Sequence, residues 1–401
     1  MKVKIFPSTP RGEVKAPGSK SVAHRLLLAA SLADGVSVIR GIPECEDFAM
    51  TLGCVKALGV RCEVSEDTVT VYGTGGSLTP TKDLTAKESG STLRFIIPIL
   101  LTLGEKVTIR GAERLFERPL SVYEEIAKEN GFLFDRDKTS LTVCGKLKSG
   151  IFNVPGNISS QFISGLMFAL PTLDGDSEIR ISTPTESASY INLTVDALRK
   201  FGVTVRCDGN SIFIRGNQTY TPADLSVEGD YSGSVFIDAL TLLGGDTRAI
   251  GLNPESAQGD AVYLEHLKKL KDGHAEIDLT DCPDLAPVLF ALAAELHGAE
   301  FTGTARLRMK ESDRALAMKE ELARLGGILH VKENSVTVEK RPLHAPSAPF
   351  KSHNDHRIVM AMATLLTKYG GEIEGAEAVR KSYPCYFRDL SSVGVTLEYE
   401  D

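Results

Sequence analysis

The chain has 401 residues, enough for two ordinary domains. Apolar residues make up 42% and charged residues 24%, the mixture of a soluble globular protein. A formal net charge of -8 argues against nucleic acid or an anionic membrane as the main partner, so any basic site must be a local concentration in an acidic molecule.

The opening MKVKIFPSTPRG lacks an apolar signal core and reads as a strand. Next comes KAPGSKSVAHR. Val14 and Lys15 end an extended run, Pro17 and Gly18 turn the chain, and Ser19 or Ser21 can cap a helix that continues through LLLAASLA. Such a turn aims free backbone N–H groups outward, a good place for an anion, and Lys20 and Arg25 add positive charge. Taken alone it also reads as a plain capped helix with two solvated cations. It is not a Walker A loop, because Gly12 sits one residue too far from Gly18 and Ser19 intervenes before Lys20. The apolar run FIIPILLTL contains Pro98 and is too short to span a bilayer. Seven scattered cysteines without a C-x-x-C pair fit a reducing cytoplasm rather than a disulfide framework or zinc site. The eight histidines show no H-E-x-x-H spacing, and no metal is expected.

One pattern recurs along the chain. An extended segment, a polar turn and an apolar helix appear in KAPGSKSVAHRLLLAASLA, TAKESGSTLRFIIPILLTLG, NVPGNISSQFISGLMFALP, SVEGDYSGSVFIDALTLLG, DLTDCPDLAPVLFALAAELHG and KSHNDHRIVMAMATLLTKYG. A short strand follows each, then a more amphipathic helix, and four copies clearly end in a two-strand ribbon such as VRCEVSEDTVTVYG. The unit is β-α-β-α-β-β, about 65 residues long, used six times. Mixed α/β sheets are expected, with the more apolar helix of each unit buried, and three units per domain. The middle boundary falls near LSVEGDYSGS. If the N-terminal strand closes the C-terminal half, the chain crosses between domains near Gly18 and near Gly229, with residues 1–17 plus 231–401 in one domain and 18–230 in the other. Two crossings make a hinge, and hinged domains close over ligands.

The repeated turns differ in chemistry. Unit one carries Lys20, Ser21 and Arg25, unit two Ser89, Gly90, Ser91 and Arg94, and unit three Ser159, Ser160 and Gln161. Unit five has Asp284, and unit six has His353, Asp355, His356 and Arg357. The second helices begin with Arg118, with Ser187 and Tyr190, with Lys310, Glu311 and Arg314, and with Lys381. If the units are pseudo-symmetric, equivalent turns converge, and two such faces make a cleft lined by helix N-termini, hydroxyls and cations. Two phosphate monoesters and two carboxylates, about −5 to −6 in charge, would suit it. Taken singly, each residue has a plainer reading. Ser159, Ser160, Asp284 and Asp355 can be helix caps, Glu311 and Arg314 a structural pair, His356 a partner of Asp355, and Arg94 a domain-interface brace.

With PGSKSVAHR, SGSTLR, ERPL, SSQF, MKESDR, NDHR and RKSYP in this order, the chain resembles the enolpyruvylshikimate-phosphate synthase family over essentially its whole length. The resemblance implies the family's inverse α/β fold: two similar domains of three βαβαββ units, with mixed sheets around buried helices. It implies transfer of enolpyruvyl from phosphoenolpyruvate to the 5-hydroxyl of shikimate 3-phosphate, through a non-covalent tetrahedral intermediate and with release of phosphate. Neither metal nor organic cofactor is implied. Carried over residue by residue, Lys20, Ser21, Arg25, Ser159, Ser160, Gln161, Ser187, Asp284 and Lys310 should hold shikimate 3-phosphate, with Tyr190 along its ring. Lys20, Gly90, Arg118, Gln161, Arg314, Arg357 and Lys381 should hold phosphoenolpyruvate. Asp284 is the expected acceptor of the hydroxyl proton, and Glu311 or Lys20 the donor to the enol methylene. The domain carrying residues 18–230 is expected on the shikimate 3-phosphate side and the other on the phosphoenolpyruvate side. A monomer in the cytoplasm is expected, acting on small molecules and on neither nucleic acid nor membrane.

Three positions depart from the family's common pattern: Glu88 for Asn, His24 for Asn, and Cys385 for an acidic residue. The sister transferase that acts on UDP-N-acetylglucosamine is the nearest alternative, but it uses a loop cysteine, and GAERLFERPLSVY contains none. A non-catalytic anion-binding homologue is the second alternative, and intact Asp284, Glu311 and Lys381 speak against it.

Overall fold

The computed structural model describes residues 1–400. The chain folds as two compact units, Met1–Pro17 with Glu228–Asp401, and Gly18–Val227.

The chain opens with β1 (Lys2–Ile5) and β2 (Arg11–Lys15). The second compact unit then runs α1 (Lys20–Leu32), β3 (Asp34–Arg40), α2 (Glu46–Ala57), β4 (Arg61–Ser65), β5 (Thr68–Thr74), β6 (Asp83–Lys87), α3 (Gly90–Leu103), β7 (Val107–Gly111), α4 (Glu113–Glu117), α5 (Ser121–Asn130), β8 (Leu133–Arg136) and β9 (Ser140–Cys144). It continues through β10 (Ile151–Val154), α6 (Ser160–Ala169), β11 (Ser177–Ile181), α7 (Ala188–Lys200), β12 (Val205–Asp208), β13 (Ser211–Ile214) and β14 (Asp224–Ser226). Three four-stranded sheets result, ordered β14-β3-β5-β4, β6-β7-β9-β8 and β10-β11-β13-β12. In each, the first pair is parallel and the other two are antiparallel.

The other unit holds α8 (Tyr231–Asp238), β15 (Asp246–Ile250), α9 (Tyr263–Asp272), β16 (Ala275–Asp278), α10 (Ala286–Glu295), β17 (Ala299–Thr302), α11 (Arg314–Ala323), β18 (Ile328–Val331), β19 (Ser335–Glu339), β20 (Phe350–Lys351), α12 (His356–Tyr369), β21 (Gly371–Glu374), α13 (Tyr386–Ser392) and β22 (Leu397–Glu400). Its sheets are β15-β2, β16-β17-β19-β18 and β20-β21-β1-β22.

The apolar helix of each unit is the buried one, as its all-round hydrophobicity requires. Every residue of α1 from Val22 to Leu32 is buried, and α10 is buried along its whole length. The strands alternate instead: in β5, Val69 and Val71 face the core while Thr68 and Thr70 stay partly exposed.

Three features depart from six identical units. The strands that precede α1 and α8 have changed places: β2 pairs in parallel with β15, and β14 pairs in parallel with β3. The fourth unit has no ribbon, because α9 leads almost directly into β16 and leaves no residues for one. In the sixth, β1 from the N-terminus supplies the strand next to β22.

Candidate active site

In the Gly18–Val227 unit the predicted residues sit at the N-termini of α1, α3, α6 and α7, except Arg118, which is the C-cap of α4. Ser19 is the N-cap of α1, with extended backbone, while Ser21 lies inside the helix. Lys20 Nζ is 2.7 Å from Asp47 Oδ2 on α2. Arg25 is buried; its Nε donates to Thr194 Oγ1 at 2.8 Å, and its two Nη groups donate to the Ser21 and Tyr190 carbonyls at 2.8 and 3.0 Å. Burial brings its pKa down to about 10, so it is still charged at neutral pH.

Ser89 caps α3 and Ser159 caps α6, accepting from Thr92 N and Gln161 N respectively. Ser160 is buried in the first turn of α6. Ser187 caps α7 in the left-handed region at φ 58° and is buried. Arg94 is a brace within this unit. Its Nη1 donates to Gln161 Oε1 at 3.0 Å and its Nη2 to the Pro119 carbonyl at 2.9 Å, so it fixes both Gln161 and the turn that follows Arg118. Gly90 lies against two guanidinium groups. A Cβ there would stand 2.6 Å from Arg118 Nη1 and 2.8 Å from Arg94 Nη1.

Pro98 explains a further contact. Proline has no N–H, so the Arg94 carbonyl one turn earlier loses its helical donor. The buried Tyr123 hydroxyl replaces it, donating to that carbonyl at 2.7 Å.

In the other unit Asp284 is central. It lies in a short 3-10 turn before α10. Arg314 Nη1 is 2.6 Å from Asp284 Oδ1, Lys310 Nζ is 3.1 Å from the same oxygen, and Arg357 Nη2 is 3.2 Å from Oδ2. Burial by itself would raise the Asp284 pKa, but Arg357, Lys310 and Arg314 together hold it well below the usual carboxylate range. Lys310 is pulled below an ordinary lysine by burial, offset by Asp284. Asp284 is therefore not a helix cap. Arg314 also donates to Glu311 Oε2 at 2.9 Å and to Asp355 Oδ2 at 2.9 Å. Asp355 does cap α12, accepting from Arg357 N at 2.9 Å. Its near partners are Arg314 and Ser312, whereas His356 Nδ1 is 3.8 Å from Oδ1. Lys381 Nζ donates to the Asn354 carbonyl at 2.6 Å. Cys385, half-buried, packs against this unit's core.

Sequence reasoning missed three neighbours. Asp47 pairs with Lys20. Asp260 is buried, accepts from the Ser232 hydroxyl, and is pushed up to about 6 by burial and the nearby Asp284 charge. Ser232 offers its carbonyl to Arg357 Nη1 at 3.0 Å. Asp47 and Asp260 lie at the starts of the second helical segments of the first and fourth units, slots whose equivalents in the other units were assigned. The repeat therefore held the signal.

Among the described residues, one group of imidazole and carboxylates could share a metal ion: Glu320, Glu321 and His353. Its buried member, Glu321, already accepts from His353 Nε2 at 2.7 Å and from Lys351 N at 3.0 Å.

The family model described as EPSP synthase (3-phosphoshikimate 1-carboxyvinyltransferase) matches residues 7–390. A 3-phosphoshikimate 1-carboxyvinyltransferase of Clostridium kluyveri is 42% identical, covering 98% of this chain and 97% of that protein. One from Clostridium perfringens strain 13 is 39% identical, covering all of both chains. Among solved structures, an EPSP synthase from Acinetobacter baumannii matches with a TM-score of 0.80 at 24% identity over the whole of both chains. The enolpyruvyl transferase NikO from Streptomyces tendae matches at 0.77 and 15%, covering 99% of this chain and 98% of that one; both likenesses speak for the fold. With a family model and full-length relatives of this identity, the chain belongs to the EPSP synthase (3-phosphoshikimate 1-carboxyvinyltransferase) family.

Proposed function

We propose that the protein transfers the enolpyruvyl group of phosphoenolpyruvate to the 5-hydroxyl of shikimate 3-phosphate and releases phosphate, in the shikimate pathway to aromatic amino acids. Family membership supports the reaction. The observation that carries the site is the Asp284 carboxylate held by Lys310, Arg314 and Arg357. We assign shikimate 3-phosphate to Lys20, Ser21, Arg25, Ser159, Ser160, Gln161, Ser187, Asp284 and Lys310. Phosphoenolpyruvate is assigned to Lys20, Gly90, Arg118, Gln161, Arg314, Arg357 and Lys381.

The charge arrangement supports a base that is switched by substrate. With three cations against it, Asp284 is ionised but a weak proton acceptor. Phosphoenolpyruvate brings a phosphate and a carboxylate, which compete for Arg314 and Arg357. As those guanidinium groups turn toward the substrate, Asp284 loses counter-charge and its basicity rises, when the attacking hydroxyl must give up a proton. The same cations then meet the charge that collects on the departing phosphate. Glu311 or Lys20 gives the enol methylene a proton as the hydroxyl adds, and a proton is taken back from the resulting methyl as phosphate leaves, which restores the enolpyruvyl double bond.

A working form that is a cytoplasmic monomer, using these two small molecules and neither nucleic acid nor membrane, completes the reading. Among the described residues no helix is long and apolar enough to cross a membrane.

Phosphate release separates the possibilities. Release is expected with phosphoenolpyruvate plus shikimate 3-phosphate and not with UDP-N-acetylglucosamine, and Lys20→Met should abolish it in a folded protein. Release with neither acceptor, or near-normal turnover in Lys20→Met, refutes the assignment.

A further inference from the structure

His24 is buried on α1 between Lys20 and Arg25, and the proposed roles of those residues leave it unused. Its Nδ1 is 2.6 Å from Thr51 Oγ1 on α2, and its Nε2 is 3.3 Å from Ser91 Oγ at the start of α3. Thr51 Oγ1 is 2.6 Å from Thr92 Oγ1, and Thr92 Oγ1 donates to Ser89 Oγ at 2.7 Å. Ser89 Oγ is 3.4 Å from Ser91 Oγ.

Counting protons fixes every direction. A hydroxyl has one proton to give. Thr92 gives its proton to Ser89, so Thr51 must donate to Thr92. Thr51 then has none left for His24, so Nδ1 carries the imidazole proton and donates to Thr51. A neutral imidazole protonated at Nδ1 has a bare Nε2, which accepts from Ser91. Ser89, which also accepts from Thr92 N, donates to Ser91, and the circuit closes with each member giving once and receiving once around it. Bonds in such a chain polarise one another in the same sense.

The ring ties three elements together at one end. Lys20 and His24 are one turn apart on α1, as their partners Asp47 and Thr51 are on α2. The Lys20–Asp47 pair is thus backed by the His24–Thr51 bond. Across the ring, Ser89 and Ser91 flank Gly90, whose backbone faces Arg118 and Arg94.

We propose that His24 is a positioning residue, whose Nδ1–H and bare Nε2 close a five-membered hydrogen-bond ring that locks the Gly90 end of α3 to the Lys20 end of α1. The functional half of this proposal rests on the assignment of Lys20 and Gly90 to phosphoenolpyruvate.

The test has two arms. Nitrogen-15 spectra of the ligand-free protein, with His24 identified by its loss in His24→Asn, should show a neutral ring protonated at Nδ1; an Nε2–H tautomer or an imidazolium at pH 7.5 overturns the ring. The second arm is steady-state kinetics of Thr51→Val, Ser91→Ala and their double variant, with thermal melts to confirm folding. Each single change opens the ring and should raise the KM for phosphoenolpyruvate about tenfold, with kcat and the KM for shikimate 3-phosphate within about twofold. The double variant should be little worse than the worse single one, because an open ring cannot be opened again. Multiplying effects, or equal rises in both KM values, overturn the positioning role. Wild-type protein inactive with both substrates refutes the functional reading alone, since the tautomer is read without substrate.

Discussion

Arg314 Nε lies 2.9 Å from Asp355 Oδ2, and both side chains are buried, 1% and 0% exposed. Two elements meet through this pair: Arg314 is the first residue of α11, and Asp355 is the N-cap of α12. Burial by itself opposes the charge on both groups. Asp355 is instead held below its ordinary range by Arg314, and Arg314 is raised by Asp355, Glu311 and Asp284. Breaking such a pair from one side strands a buried charge, at about 3–5 kcal/mol. Asp355→Asn keeps an oxygen that can cap α12 but removes the charge, so it should lower the urea midpoint markedly. A nearly unchanged midpoint would show that the pair is not holding the helices together.

Asp284→Asn keeps the shape of the central side chain and removes its charge. If Asp284 accepts the hydroxyl proton, kcat should fall by about 10²–10⁴-fold. The KM for phosphoenolpyruvate should not rise, because Lys310, Arg314 and Arg357 lose a competitor for the substrate's charge. Initial rates of phosphate release over a range of both substrates measure the two parameters separately.

Gly90→Ala places a Cβ 2.6 Å from Arg118 Nη1, closer than non-bonded atoms approach. The Arg118 guanidinium has to move. A higher KM for phosphoenolpyruvate, about tenfold or more, is expected with little change in the KM for shikimate 3-phosphate, and the unfolding midpoint should change little because a flexible side-chain end yields.

Tyr123→Phe removes the donor that serves the Arg94 carbonyl. An unsatisfied buried carbonyl costs about 1–3 kcal/mol. Pro98→Ala supplies the missing helical N–H, so Tyr123→Phe should cost less in a Pro98→Ala background than alone. Denaturant unfolding of the four proteins in this cycle gives the coupling, and equal costs in both backgrounds would show that the hydroxyl does not replace the lost donor.

His353 is raised above its ordinary pKa, first by its hydrogen bond to Glu321, with burial opposing and Glu320 adding to the rise. The folded protein thus binds this proton more tightly than the unfolded chain does. The pair's stabilisation is complete below about pH 6.5, and it is lost as pH rises through the elevated folded value. Urea midpoints of wild type and His353→Gln should differ most at pH 6 and below, and converge as pH rises through the elevated folded value. A gap that widens with pH would reverse the sign.

Much of the architecture is legible in the sequence. Six apolar helices after polar turns, such as SGSTLRFIIPILLTLG, could only be buried helices, because their hydrophobicity runs all round. The period also located Lys20, Gly90, Asp284 and Arg357, since helix N-termini are where backbone donors are free for anions. Local pattern could not show the exchange of β2 and β14. Both are short strands before a turn, and which edge each joins depends on pairing with β15 and β3, more than 180 residues away along the chain.

The repeat, the buried face of each helix and the residue types at each turn follow from side-chain chemistry at fixed spacing, and so can be read from the chain alone. Tertiary structure decided what those residues spend their bonds on. Arg94 braces Gln161 and Pro119, Asp284 gathers Lys310, Arg314 and Arg357, and His24 joins Thr51 to Ser91. Each of these requires atoms from different elements to arrive within 3.5 Å of one another, and only packing of the buried helices sets that distance.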